Sequence, residues 1–225
     1  MPDLLAACAF LLLIHLAVSG TRLRDALTGR LGEEPYRGLF SLASLGGIAW
    51  MVHAYRRAPL LPAWGLLPGF RPAAYVLVFL AFLLAVIGIL TPSPTQVGME
   101  SRLDPAAARG VVRITRHPFL WGVGLWALTH LIVNGDQASL VLFGTLLVLA
   151  VAGTASIDAK RNRKFPEQWR KFAQATSSVP FVAIARGGNR LAPALAEIGV
   201  WRLLAAIGLY GAVFYLHGRL GSPLA

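Results

Sequence analysis

The chain has 225 residues, 56% of them hydrophobic and only 14% charged, and its 21 Lys and Arg outweigh 10 Asp and Glu for a formal charge of +11. A soluble domain carries about 25% charged residues, so an ordinary water-soluble fold is excluded. The apolar residues fall in runs long enough to cross a bilayer, separated by short arginine-rich segments, which assigns the excess charge to membrane topology rather than to nucleic acid.

A span needs roughly 20 mostly apolar residues. In chain order the predicted spans are Leu4–Ser19, Leu39–Tyr55, Ala73–Leu90, Phe119–Val133, Ala138–Ile157 and Trp201–Leu216. The first lacks a basic n-region, and Thr21-Arg22-Leu23-Arg24-Asp25 behind it does not resemble a small-residue cleavage site. It reads as a retained helix. The expected fold class is therefore all-α, a polytopic membrane bundle of about six transmembrane helices, forming a single integral membrane domain over 1–225. Its later parts are a cytoplasmic interfacial segment at 158–199 and a last helix at 200–217, and 1–157 carries the signature stretches described below.

The connections carry their own signals. Pro59, Pro62, Pro68 and Pro72 make Arg56–Pro72 an irregular interfacial loop. Asp104 followed by Pro105 predicts a helix start. Asn134 and Gly135 are ordinary C-capping residues, and Asp136 is suited to cap the next helix. In Lys160–Ala175 the spacing of Phe165, Trp169 and Phe172 predicts an interfacial helix. Its cations either face anionic headgroups or stand outward while its apolar side packs on the bundle base.

The loops at 22–37, 102–116 and 160–202 together hold seventeen Lys and Arg, and the opposite side holds Arg56, Arg57, Arg71 and Arg219. The positive-inside rule then predicts both termini outside the cytoplasm. Cys8, the one cysteine, cannot form an intramolecular disulfide and reads as a core residue.

Ionisable residues in a bilayer are functional candidates. His15, His53 and His130 fall inside predicted spans, and His117 and His217 at span edges. Imidazole ligates both metals and haem. His117 and His130 stand thirteen residues apart on one helix, roughly 20 Å and about 140° from one another, so they cannot share an iron. Depth pairs His53 with His130, and places His15 nearer His117.

Two stretches resemble a known family. His15, Leu23-Arg24-Asp25-Ala26-Leu27 and Leu31 through Leu42 resemble the opening signature of the NnrU family. Gly110-Val111-Val112-Arg113-Ile114-Thr115-Arg116-His117-Pro118, running through Trp126-Ala127-Leu128-Thr129-His130 to Asn134-Gly135-Asp136, resembles its most specific signature. The resemblance implies a multi-helix inner-membrane protein associated with nitrogen-oxide respiration, related to the haem b enzyme zeta-carotene isomerase. It implies His130 and His15 as haem ligands, whereas depth favours His53 with His130 and keeps His53 in reserve. It further implies a lipophilic polyene or a gas as the ligand, and Arg113 and Arg116 as partners for haem propionates. The isomerase carries a cysteine three residues before its second histidine, where this chain has Ala127, and its first histidine stands two residues closer to the Leu-Arg-Asp run.

A second resemblance is to membrane methyltransferases of the isoprenylcysteine and phospholipid type. Arg116-His117-Pro118 with Gly122 resembles their Arg-His-Pro-x-Tyr-x-Gly element, although Leu120 stands in the tyrosine's place. Glu167-Gln168-Trp169 through Val179-Pro180 is loosely similar to their cofactor segment, which implies S-adenosylmethionine near His117. Three function classes thus remain: a haem-binding membrane protein, a methyltransferase, and a non-catalytic accessory factor.

Overall fold

A computed structural model describes residues 1–99 and 103–219. Among them there are ten α-helices and no strand; Arg102 lies outside the described residues. Helix α1 (Pro2–Leu12) opens with Pro2 in its first turn and continues into a wider π-type turn, Leu13–Val18, where Ser19 N–H reaches back to the Ile14 carbonyl at 2.9 Å. Thr21 caps α2 (Arg22–Leu31) by accepting from Leu23 N–H, and α2 leaves α1 at a bend of 82°. Gly32, in a conformation with φ of +87°, ends α2 and starts α3 (Glu33–Arg57). The remaining helices are α4 (Arg71–Leu90), α5 (Pro118–Asn134), α6 (Gln137–Lys164), α7 (Pro166–Ala175), α8 (Val182–Ala185), α9 (Leu191–Ala196) and α10 (Val200–Arg219).

All six expected spans are helical. Helices α3, α6, α10 and the segment Pro68–Leu90 containing α4 are each long and apolar enough to cross a membrane; α1 qualifies only together with α2 across their bend. At 17 residues α5 is shorter, and it is packed between α4 and α6. Lateral packing runs α3–α1–α6–α5–α4–α10, so α6 sits between the two halves of the bundle.

The α4–α5 seam is made of glycines. A Cβ on Gly122 would lie 2.6 Å from the Ala85 nitrogen and 2.7 Å from the Ala81 oxygen, and one on Gly88 would lie 2.8 Å from the Phe119 nitrogen. The two backbones therefore touch, as small residues permit between helices in lipid.

Two clusters anchor the bundle. One joins Leu4, Ala7, Cys8 and Leu11 of α1 to Ala127 of α5 and Leu142 and Phe143 of α6. The other, at the opposite end, joins Ile87, Val111 and Val112 to Trp169 and Phe172 of α7 and Ile198. The apolar side of α7 is thus buried against the bundle base, while Arg170 and Lys171 are exposed. This fits the second of the two arrangements expected for that helix.

The caps behave as their residue types require. Gly135 takes φ +57°, and its carbonyl accepts from Ala63, Trp64 and Gly65 N–H at 2.8, 3.1 and 3.0 Å, which ties the proline-rich loop to the end of α5. Asp136 caps α6 by accepting from Ser139 N–H at 2.9 Å. Asp104 accepts from Ala106 N–H at 2.8 Å, but only a 3-10 turn, Pro105–Ala107, comes after it.

Candidate functional site

The Arg116-His117-Pro118 element sits at the N-terminal end of α5. Pro118 starts that helix and His117 precedes it in a non-helical conformation. The stretch of chain before it is fastened on both sides. Arg116 N–H donates to the Ser177 carbonyl at 2.9 Å, Thr115 Oγ1 donates to the Ser178 carbonyl at 2.6 Å, and the Arg116 carbonyl accepts from Thr95 Oγ1 at 2.7 Å. Backbone position here is set before any ligand arrives.

Asp158, from the inner part of α6, gathers the charged side chains. Its carboxylate accepts from Arg116 Nε at 3.0 and 3.1 Å and from the Arg116 terminal nitrogen at 2.6 Å, and His117 Nε2 lies 2.6 Å away. His117 is only 2% exposed. Burial holds its pKa below the usual histidine range, with the Asp158 carboxylate opposing that shift. The imidazole is therefore neutral at neutral pH, with Nε2–H donating to Asp158 and Nδ1 left as the lone-pair nitrogen. The Arg116 guanidinium also stacks over Trp169, 5.4 Å from the ring centre. Beside this cluster a cavity of about 620 Å³ is lined by Asp158, Asn162, Trp169, Arg170 and Gln174, among others.

Arg113 belongs to a separate arrangement. It forms a fork with Glu197, both contacts at 2.8 Å, and donates to Asn189 Oδ1 at 2.9 Å. Gly110 N–H donates to the same carboxylate at 2.8 Å, and together these hold the Glu197 carboxyl down to about 2. Both arginines expected to meet propionates are thus engaged with carboxylates of this chain.

The intramembrane histidines share one local geometry. His15 Nδ1 is 2.9 Å from the Leu11 carbonyl, and His130 Nδ1 is 2.8 Å from the Trp126 carbonyl, each four residues back along its own helix. A carbonyl only accepts, so Nδ1 carries the proton in both and Nε2 presents its lone pair. This is how a metal-ligating histidine is oriented by its second nitrogen. Flat apolar neighbours flank each ring: Phe40 for His15, with centroids 5.1 Å apart, and Trp126 and Phe143 for His130, at 4.6 and 5.0 Å. Each ring is thereby oriented to offer Nε2 to a metal, His15 beside α3 and His130 beside α6 and α10. His15 stands in the wide turn Leu13–Val18 that continues α1, His130 on α5, and both segments pack on α6. Among the described residues no three His, Cys, Asp or Glu side chains converge as a metal cluster.

His53 is exposed, on a turn of α3 whose buried residues are Met51 and Ala54. Another histidine ring, that of His217, approaches His130 at 6.4 Å between centroids. Sequence reasoning did not single out Asp158, Glu197 or the His130–His217 approach. Asp158 was open to discovery as an acid at the end of an apolar run; the others depend on contacts 84 to 87 residues apart.

A family described as NnrU protein matches residues 3–223 of the chain. The 15-cis-zeta-carotene isomerase of Arabidopsis thaliana chloroplasts is 28% identical over 174 residues, which cover 73% of this chain and 46% of the relative. The corresponding Zea mays protein is 25% identical over 178 residues, covering 75% of this chain and 47% of the relative. The chain spans about half the length of these curated relatives. No solved structure matches it. A family match over nearly the whole chain, on an all-α fold with several spans, places the protein in the NnrU family.

Proposed function

We propose that the protein binds haem b through His130 and His15 and acts on a lipophilic polyene in carotenoid-isomerase-like chemistry. The observation that carries the reading is the shared orientation of the two imidazoles, each with Nδ1–H held by a backbone carbonyl and Nε2 presented outward. Similarity to 15-cis-zeta-carotene isomerases supports the substrate class. Bound haem would supply an iron able to coordinate a substrate or a gas. The chain's own residues would fix the two rings and exclude water with Phe40, Trp126 and Phe143. Ala127, fully buried, offers no thiol as a replacement ligand. A gas ligand would connect the same site to nitrogen-oxide metabolism. We further propose one integral domain in the bacterial inner membrane, with both termini periplasmic.

The visible spectrum of the detergent-purified protein, produced with ample haem, tests this. A Soret band is expected, abolished in His130→Ala and reduced or shifted in His15→Ala, and unchanged in His53→Ala. A colourless protein, or a band indifferent to His130→Ala, would defeat the reading.

The cavity beside Asp158 and Trp169 favours a second reading, an S-adenosylmethionine-dependent membrane methyltransferase, because it adjoins the Arg116-His117-Pro118 element. Calorimetric titration with S-adenosylmethionine decides it, since heat of binding lost in Asp158→Asn is expected there and none under the haem reading. Failure of both experiments leaves a non-catalytic accessory factor.

A further inference from the structure

Where α2 crosses the inner end of the bundle, it faces the last turns of α6 across a cavity of about 400 Å³. The lining is Arg22, Arg24 and Asp25 from α2, and Lys160, Arg161, Arg163 and Lys164 from α6. Six cations and one carboxylate line that space, a field that favours an anion.

The cradle is built, not a chance meeting of surface lysines. Arg161 is 4% exposed, and its guanidinium donates to the Pro94 carbonyl at 2.9 Å and the Gln96 carbonyl at 3.1 Å, which fixes one wall. Lys160 donates to the Ser19 carbonyl at 3.4 Å, tying the other wall to the turn just before α2. Arg24 pairs with Glu33 and stacks 5.5 Å over Tyr36. Arg22, Arg163 and Lys164 stand exposed at the rim. The cavity also has the right address. The 82° bend turns α2 across the bundle end, and α6 carries its apolar run up to this cluster. With α6 spanning the bilayer, an anion there would lie in the headgroup layer.

We propose that this cavity between α2 and α6 binds the phosphate headgroup of an anionic membrane lipid. A phosphate diester supplies the acceptors that arginine forks and lysines recognise. Its acyl chains would continue along the exposed apolar surface of the bundle, something a soluble phosphate cannot do. Binding would fasten α2, whose leucines Leu23 and Leu31 are about half exposed, to the membrane surface.

The full chain in detergent is melted with dioctanoyl phosphatidylglycerol, with dioctanoyl phosphatidylcholine and with inorganic phosphate. The anionic lipid is expected to raise Tm in a saturable, salt-sensitive way. The triple variant Arg22→Gln, Arg163→Gln, Lys164→Gln should bind it at least about tenfold more weakly. A control triple at the other end, Arg56→Gln, Arg57→Gln, Arg71→Gln, should match the parent. These rim residues are exposed, and circular dichroism checks that both triples fold. Equal stabilisation by phosphatidylcholine, an equal loss in the control triple, or inorganic phosphate matching the lipid at equal concentration overturns the proposal.

Discussion

At the scale of single residues, the polar chemistry at the inner end rests on two carboxylates, each shared by several donors. Asp158 holds Arg116 and His117 together, and Glu197 holds Arg113 and the Gly110 amide. The second has a clear consequence for pH. Glu197 ionises at about 2 in the folded protein against a usual 4.5. A depressed acid pKa gives stability that is present above 4.5 and lost as pH falls towards 2. The Tm difference between the parent and Glu197→Gln should therefore be constant from pH 7 to about 5 and narrow below 4.5. A difference that stayed constant to pH 3 would show that the fork does not stabilise the fold. The pair is partly exposed, so its contribution is reduced by solvent screening. None of this was visible in the order of residues, because Arg113 and Glu197 are 84 positions apart and neither falls in an apolar run. The histidines were visible, since a charged-capable ring within a span stands out by itself. Their carbonyl ties arise from the four-residue helical repeat, so that part of the geometry was implicit in the sequence as well.

Between elements, the tightest joint is the glycine seam of α4 and α5. Gly122→Ala would place a methyl group within 2.8 Å of both backbone and side chain of Ala85. Forcing the helices apart costs about 1–3 kcal/mol by the measure of overpacked cores, and Tm should fall accordingly. Gly208→Ala on α10, where nothing lies within 4 Å of the new methyl, is expected to leave Tm unchanged or slightly higher. Hydropathy located each of these helices, and the helices run on past the apolar spans. It began the second span at Leu39, whereas α3 starts at Glu33, and it ended the fifth at Ile157, whereas α6 runs to Lys164. Hydropathy reports where lipid ends, and a helix continues beyond that as long as its backbone bonds propagate. The fate of α7 was open for a related reason: an apolar stripe does not say whether protein or lipid will cover it.

For the whole molecule, Met1, the proline-rich loop and the far end of α10 share one end of the bundle. Met1 packs against the cluster that includes Leu4 and Ala138, and Phe214 meets Tyr75 near the start of α4. The cation-rich segments share the other end. The charge count of seventeen against four gives these two ends their proposed sides, cytoplasmic for the basic end. A cysteine introduced as Leu66→Cys should react with a membrane-impermeant maleimide in spheroplasts, and Arg163→Cys only after lysis. Cys8 is buried and should contribute little background. The reverse labelling pattern would invert the assignment.

The wide turn Leu13–Val18 has an effect out of proportion to its length. Accommodating one more residue per turn than an α-helix does amounts to an angular offset of roughly 100° between the helix before it and the chain after it. Upstream, the stripe of Leu4, Ala7, Cys8 and Leu11 keeps its bearing on α6. Downstream, Gly20 is turned flat against Ser156, and the chain departs sideways as α2. Removing any one residue from this turn would leave α1 seated and rotate α2 about its axis, away from Lys160 and its neighbours. A single-residue count after the first helix thus sets the heading of α2.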